Sequence, residues 1–350
     1  MISGVRFATS QDGTALAWTR SGRGRSLVKA ANWLTHLEYD RASPVWSHWV
    51  EFLESHFDYI RFDERGCGMS DHKAGALVMD TWVADLEAVV AAADPPRPFV
   101  LLGISQGASV AISYAAKYPE HVSHLILYGG YARGHDHRGQ PGAAALYRAI
   151  VDVFRLGWGE DNPAFRQVFT QRFIPGATEE QLAWYNDLCQ RSMTPDHGAE
   201  LLLARADIDV TRVLSQVSVP TLVVHAEGDV VVPIEEGALL ARQIPGAEFV
   251  VLDSRNHILQ AAEPAWAAFR AAVARFLGAE ADSPVAALTA REREILRLIC
   301  RAKSNKDIAR ALDVSEKTVR NHATHLFAKL GVAGRAEAAL KFARQFDTAE

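Results

Sequence analysis

The segment GISQG at residues 103–107 has the residue types and the spacing of a nucleophile turn. A short apolar run, Phe99–Ile104, precedes the serine, and a helical pattern begins near Gln106. When the pattern G-x-S-x-G lies between a strand and a helix, its glycines allow a sharp turn that exposes the serine hydroxyl. This context predicts that Ser105 is a nucleophile.

A nucleophilic serine needs a histidine that takes its proton and an acid that orients the histidine. Asp229 follows the predicted strand Thr221–His225, and His257 follows the predicted strand Phe249–Leu252. Because parallel strands place their carboxyl ends at one edge of a sheet, both side chains can converge on the serine. Asp229 is the predicted acid, since it directly precedes a Val-Val-Val-Pro segment, and Glu227 is the alternative.

The elements that must position these residues alternate between strand and helix over the first 130 residues. Short apolar runs are typical of parallel strands buried on both faces, and their alternation with helical patterns predicts a doubly wound parallel sheet. Val5–Thr9 and Ala15–Thr19 predict an antiparallel hairpin instead. The predicted strands are Leu27–Ala31, Tyr59–Asp63, Phe99–Ile104 and His124–Tyr128, and the helices are Val45–Glu54, Val78–Ala93 and Gln106–Lys117.

Residues 131–215 interrupt this alternation with helical patterns, after which two further strands and helices follow. An insertion at this point lies above the carboxyl ends of the strands, where such sheets bind ligands. We therefore expect a lid. Most large aromatic residues should pack in the core, and a subset should form an apolar pocket under the lid. These aromatics are Trp33, Trp46, Trp49, Tyr131, Trp158, Phe169, Phe173 and Trp184.

Together these features resemble the α/β-hydrolase superfamily over residues 1–280. The loop DERGCGMS at residues 63–70 is similar to the D-x-R-G-x-G-x-S loop of that family. The resemblance implies an α/β-hydrolase fold with a mostly parallel sheet and a helical lid. It also implies Ser105 as nucleophile, Asp229 as acid and His257 as base.

The sequence departs from the family where half of the oxyanion hole is usually formed. The family often has His-Gly-x after the corresponding strand, whereas here Ala31 and Asn32 precede Trp33. Because an oxyanion hole is built from main-chain donors, we expect the backbone N–H groups of Trp33 and Gln106 to form it.

The capping residues and apolar spacing of residues 288–345 predict four short helices. The segments LTARE at 288–292 and SNKD at 304–307 have the spacing of capping boxes. Ser315 caps a third helix, which Gly331 ends, and Arg335–Arg344 predicts a fourth. The third helix has predicted buried positions at Val319, His322, Leu326 and Leu330.

These helices, with the segments SNKDIA, VSEKTVRNH and KLGV, resemble the LuxR-type helix-turn-helix domain. The resemblance implies that the domain binds double-stranded DNA, with Lys317 and Thr318 on phosphates and with Arg320, Asn321 and Thr324 in the major groove. The alternative is a solvated charged face on a helical module that binds protein. Residues 283–350 hold 13 Lys and Arg against 8 Asp and Glu, although the whole chain has a net charge of −5. This asymmetry is expected when only the C-terminal part contacts nucleic acid.

The predicted organisation is a hydrolase-like domain at residues 1–280 with a lid at about 131–215, a linker at 281–286, and a DNA-binding domain at 287–350. The three cysteines form no CxxC pair, so we expect neither disulfides nor a zinc site, and a cytoplasmic location. We expect no cofactor, no metal, no signal peptide and no membrane span.

The domain combination predicts a transcription regulator whose hydrolase-like domain binds a small-molecule effector. The alternative is an active serine hydrolase, cleaving an ester, lactone or similar bond, whose turnover sets the signal. Because helix-turn-helix regulators usually bind paired half-sites, we also expect a homodimer.

Overall fold

The computed structural model of the chain describes residues 4–72, 75–139, 141–158, 164–278, 288–301, 303–312, 314–332 and 334–342. The chain divides into two compact units, Met1–Val273 and Ala274–Glu350. The predicted linker at residues 281–286 lies outside the described residues, so the domain boundaries stay predictions.

The larger unit is built on an eight-stranded sheet with the strand order β1-β2-β4-β3-β5-β6-β7-β8. β2 pairs antiparallel with β1 and β4, and the remaining neighbours are parallel. This confirms the predicted fold class, a mostly parallel sheet with an antiparallel hairpin at its start. The strands are β1 (Arg6–Thr9), β2 (Ala15–Gly22), β3 (Arg25–Lys29), β4 (Phe57–Phe62), β5 (Phe99–Ile104), β6 (Val122–Tyr128), β7 (Thr221–Ala226) and β8 (Glu248–Leu252).

Every residue of β5 and β7 is buried, although successive side chains of a strand point to opposite faces of the sheet. Both faces of the central strands are therefore covered, and helices cover them. An aromatic cluster anchors the first and last of these helices, with the Trp49 ring 4.7 Å from Trp266 and 4.8 Å from Phe269. The helices are α1 (Ser47–His56), α2 (Met79–Ala93), α3 (Gln106–Lys117), α8 (Ile234–Gln243) and α9 (Pro264–Phe276).

Among the described residues, four α-helices lie between β6 and β7, where the sequence predicted the lid. Threonine side chains cap two of them: Thr178 Oγ1 accepts from the Gln181 N–H, and Thr194 Oγ1 accepts from the His197 N–H. The lid helices are α4 (Pro141–Gly157), α5 (Ala164–Phe173), α6 (Glu179–Ser192) and α7 (Pro195–Ala206).

The loop at residues 63–70 has a structural role. Asp63 Oδ2 accepts hydrogen bonds from the backbone N–H groups of Leu37 at 3.1 Å and Met69 at 2.9 Å. Arg65 is fully buried and donates from Nε at 2.7 Å and from Nη2 at 2.6 Å to the Asp85 carboxylate. These contacts hold the loops at the carboxyl ends of β3 and β4 in place.

The smaller unit consists of short helices whose N-termini are capped by Thr289, Ser304 and Ser315. Gly331 ends the third helix with φ 61°, in the left-handed region that favours glycine. The helices are α10 (Ala290–Cys300), α11 (Asn305–Ala311), α12 (Glu316–Leu330) and α13 (Arg335–Phe342). Their apolar faces form one core around Leu296, Leu326 and Leu330 and another around Ile295, Ile308 and Val319. Residues 343–344 of the predicted fourth helix lie outside the described residues.

Candidate functional site

Ser105 occupies a tight turn between β5 and α3, with φ 54° and ψ −127°. Both flanking glycines are required by close approach of the backbone. A Cβ at Gly103 would lie 2.6 Å from Ala108 Cα, and one at Gly107 would lie 2.8 Å from the Ala31 carbonyl oxygen. The sharp turn therefore presents the serine at the carboxyl edge of the sheet.

Asp229 and His257 meet at the same edge, after β7 and β8. His257 Nδ1 lies 2.6 Å from Asp229 Oδ2, and Oδ1 of the same carboxylate accepts from the N–H groups of Val231 at 2.8 Å and Val232 at 3.0 Å. Burial alone would raise the pKa of Asp229, but His257 outweighs it and the pKa lies below its usual value. The carboxylate is therefore ionised. Glu227, the alternative acid, is exposed.

The other ring nitrogen of His257, Nε2, is buried and has no hydrogen-bond partner within the described part of the chain. Two glycines after β6 adjoin both the histidine and the serine. A Cβ at Gly129 would lie 3.2 Å from His257 Cε1, and one at Gly130 would lie 3.7 Å from the Ser105 carbonyl oxygen. The structure thus brings Ser105, Asp229 and His257 close together. His257 Nε2 is available to accept a proton.

The predicted oxyanion hole contains a contact that the sequence did not predict. The Trp33 N–H donates at 3.0 Å to Oε1 of the Gln106 side chain, and Gln106 Nε2 lies 3.4 Å from the Ala31 carbonyl oxygen. One predicted donor, the Trp33 N–H, is therefore occupied by the Gln106 side chain, and the backbone of Gln106 supplies the other predicted donor. This side chain must move before the Trp33 N–H can reach a developing oxyanion.

A cavity of about 580 Å³ of atom-free space, partly open to solvent, adjoins Ser105 and extends beneath the lid. Of the aromatics considered from sequence, Trp33, Tyr131 and Phe173 line it, whereas Trp46 and Trp49 pack elsewhere. The side chain of Phe169 lies outside the described residues. The lining also contains three arginines, Arg138, Arg172 and Arg205, which sequence reasoning missed. The sequence feature that could have identified them as pocket residues is their position within the lid segment.

Helix α12 places most of its predicted DNA-contacting side chains on one exposed face: Lys317, Arg320, Asn321 and Thr324 are exposed. Thr318 is half-buried, and its Oγ1 lies 2.8 Å from Oγ of the capping Ser315. The Thr324 hydroxyl donates to the Arg320 carbonyl oxygen at 3.0 Å. Two of these four exposed side chains, Lys317 and Arg320, are cationic.

The buried face of α12 differs from the prediction at one position. His322 is half-buried rather than buried, and Ala323 packs in the core with Val319 and Leu326. The helical turn places position 323 nearer the core centre, and a small residue fits there. The prediction for His322 was wrong.

The described residues contain no group of three or more His, Cys, Asp or Glu side chains that could hold a metal ion. Among them, no helix combines the length and the apolar character that crossing a membrane requires.

Comparison with protein families gives a match for each part of the chain. A model described as serine aminopeptidase, S33, matches residues 47–261, and one described as bacterial regulatory proteins, luxR family, matches residues 286–342.

Individual relatives follow the same division. A pyrrolizixenacetamide deacetylase from Xenorhabdus hominickii is 26% identical over 249 residues, which cover 69% of this chain and 88% of the relative. The spore germination protein GerE of Bacillus subtilis is 49% identical over 57 residues, which cover 16% of this chain and 77% of GerE. Among solved structures, the esterase RhEst1 from Rhodococcus sp. ECU1013 superposes with a TM-score of 0.63 and 25% identity, covering 79% of this chain and 98% of the esterase.

Proposed function

Because the chain belongs to the serine aminopeptidase S33 family of α/β-hydrolases and its C-terminal part belongs to the LuxR family of bacterial regulatory proteins, we propose that it is a transcription regulator whose hydrolase domain binds a small-molecule effector. The observation that carries this proposal is the exposed face of α12, where Arg320 and Asn321 are open to a partner. Arginine pairs with guanine and asparagine with adenine in the major groove.

The DNA-binding part is tested by selecting a duplex from random sequence and measuring affinity by fluorescence anisotropy. Arg320→Ala and Asn321→Ala should each weaken specific binding by about 5- to 150-fold, since a base contact contributes about 1–3 kcal/mol. Lys317→Ala should weaken binding to all duplexes and reduce the salt dependence. Arg297→Ala, an exposed charge on α10, is the matched control. Unchanged affinity in both base-contact variants would contradict the proposal.

Catalysis is a second candidate, and the 2.6 Å contact between Asp229 and His257 favours it. In this reaction Ser105 Oγ attacks a carbonyl carbon while His257 Nε2 takes the hydroxyl proton. The histidine then gives this proton to the leaving alcohol or amine, and water hydrolyses the resulting acyl-enzyme by the same route. Asp229 stabilises the imidazolium. The esterase and deacetylase relatives act on bonds of this class.

Ser105→Ala separates the two candidates. If the protein is an enzyme, the variant should lose at least about a thousandfold in ester hydrolysis, and this loss is measured with 4-nitrophenyl esters. The same variant is then tested for DNA binding with and without the ester. Loss of the ester's effect on DNA, with ester binding retained, would indicate that turnover is part of signalling. An unchanged effect would indicate a receptor.

We further propose that the chain acts as a homodimer in the cytoplasm. A helix-turn-helix dimer binds two half-sites about one or more turns of DNA apart. The sequence holds an odd number of cysteines, three, and none of them forms a CxxC pair, which suits a reducing compartment. Sedimentation equilibrium of the full chain should give twice the mass of 38.4 kDa. A monomer on DNA at saturating concentration would contradict the dimer.

A further inference from the structure

The cavity beside Ser105 is rich in positively charged side chains. Arg138, Arg172 and Arg205 all line it, and a second cavity on the outer side shares Arg138 and Arg172 with it. None of the residues lining either cavity is Asp or Glu within the described part of the chain. A cleft lined by one sign of charge with apolar walls concentrates ligands of the opposite sign.

Arg138 and Arg172 lie where the two cavities meet, and neither forms an ion pair with a carboxylate among the described residues. Arg138 donates from Nε to the Arg133 carbonyl oxygen at 2.9 Å and stacks over the Tyr131 ring. Arg172 donates from Nη2 to the Val230 carbonyl oxygen at 3.3 Å. Both side chains are half-buried. Each guanidinium therefore has donors left for a ligand.

Arg205 lies deeper and is only 4% exposed. Its Nη2 pairs with the buried Glu64 carboxylate, and its guanidinium lies over the Trp33 ring at 4.9 Å. Its Nε and Nη1 are buried without a hydrogen-bond partner in the described residues. Unsatisfied donors on a buried cation are costly, so oxygen atoms of a bound ligand would stabilise this arrangement.

Burial has the largest influence on the pKa values of Arg138, Arg172 and the neighbouring His135. Burial lowers the pKa of Arg138 and of Arg172. Burial, and then the charges of these two arginines, lowers the pKa of His135 to about 3, so the histidine is neutral where the cavities meet. Its ring stacks on Tyr147 at 4.0 Å. The cationic groups at this position are thus the two arginines.

We propose that the pocket selects an organic anion: an ester, lactone or amide that carries a carboxylate a few bonds from the bond facing Ser105. Arg138 and Arg172 bind the carboxylate at the outer end, and the Arg205 donors contact the inner, uncharged part of the ligand. This inference rests on the proposed function of the same pocket and names its ligand class. The charge distinguishes this pocket from one that binds neutral acyl chains.

The test compares two 4-nitrophenyl esters of matched chain length, the anionic hydrogen glutarate and the neutral pentanoate. The full-length protein should show a kcat/KM at least about tenfold higher for the anionic ester, as expected for charge-assisted hydrogen bonds. Arg138→Met and Arg172→Met should each reduce this preference, the ratio of the two kcat/KM values, by at least about fivefold. Arg172→Lys should restore part of it, because the charge is retained.

Arg242→Met, which removes an exposed arginine of α8, is the matched control and should keep the preference. Equal rates on both esters, or equal loss of preference in the control, would overturn the proposal while leaving the hydrolase candidate intact.

If neither ester is cleaved, ligand binding decides the anion site. Calorimetry with monomethyl glutarate should then show binding that Arg138→Met and Arg172→Met weaken by at least about tenfold. Absence of binding, or binding that survives in both variants, would overturn the anion site.

Discussion

Ser105 has a positive φ that an L-residue rarely adopts, and the surrounding turn holds it there. Such backbone strain costs about 1–3 kcal/mol and persists only when neighbouring contacts over-determine it. Here the Ser105 N–H donates to the Tyr128 carbonyl oxygen at 2.9 Å, and β5 and α3 are buried on either side of the turn. The strain is consistent with a nucleophile that the turn presents to the adjoining cavity, whereas a structural serine would gain nothing from it.

The Gln106 side chain is expected to restrain catalysis, because it occupies the Trp33 N–H. Gln106→Met removes the accepting oxygen and keeps the backbone N–H. Since a neutral hydrogen bond contributes about 1 kcal/mol, kcat for ester hydrolysis should rise about two- to tenfold. Stopped-flow measurement of the acylation burst checks this. A decrease in the acylation rate would show instead that the side chain helps to bind the acyl group.

Asp229 is expected to act through His257. Asp229→Asn keeps the size of the side chain but removes the charge that stabilises the imidazolium, so kcat should fall by about 10⁴-fold with little change in ligand affinity. The pKa of Asp229 lies below its usual value, so its own protonation should limit activity only below about pH 4. Glu227→Gln is the control and should leave the pH profile unchanged. An equal effect of both substitutions would reassign the acid.

At the scale of elements, the sequence correctly predicted the strands and helices that have a strong local residue pattern. Phe99–Ile104 and Gln106–Lys117 match the structure at both ends, because an apolar run and a helical period meet at a turn marked by glycines. The strand near residue 250 was found, but Phe249 and Val251 are 36% and 46% exposed. β8 lies at the edge of the sheet, and the apolar pattern alone cannot tell an edge strand from a central one.

The capping box of α10 provides a test of element stability. Glu292 accepts from the Thr289 N–H at 2.8 Å and pairs with Lys329 of α12 at 2.8 Å. Its hydrogen bond with Lys329 is the main cause that lowers the pKa of Glu292 from 4.5 to about 2. Because the folded-state pKa is depressed, this stabilisation is present above pH 4.5 and is lost as the pH falls toward 2.

Glu292→Gln should therefore destabilise the smaller unit by about 1 kcal/mol at pH 7, a moderate value because the Lys329 end of the pair is partly open to solvent. Hydrogen–deuterium exchange of α10 peptides should accelerate about fivefold at pH 7 and by less at pH 3. Lys303→Gln, an exposed charge in the same unit, is the control. A pH-independent difference would exclude the ion pair as its cause.

At the scale of the whole molecule, the sequence could predict that Ser105, Asp229 and His257 lie together, but not that three arginines line the pocket. Ser105, Asp229 and His257 each follow a strand, so the topology of the sheet brings them together. Arg138, Arg172 and Arg205 come from a loop and two helices of the lid, more than 30 residues apart in sequence. Their convergence depends on how the lid helices pack, and no residue period encodes that packing.

The proposed regulator also makes a thermodynamic prediction for the full chain. If an effector in the pocket changes operator affinity by a given factor, the operator must change effector affinity by the same factor, and such couplings are typically about 5- to 150-fold. Ser105→Ala prevents turnover, so both affinities can be measured at equilibrium with monomethyl glutarate and the selected duplex.

The two factors should agree. Arg172→Met should weaken ligand binding without changing the affinity of the unliganded protein for DNA, because Arg172 belongs to the larger unit and the residues proposed to contact DNA belong to the smaller. If the protein has two conformational states, a ligand with equal affinity for both does not shift the equilibrium between them, however tightly it binds. Tight binding of the anion with no change in operator affinity would therefore leave a DNA-binding domain and an anion pocket on one chain without a regulatory connection between them.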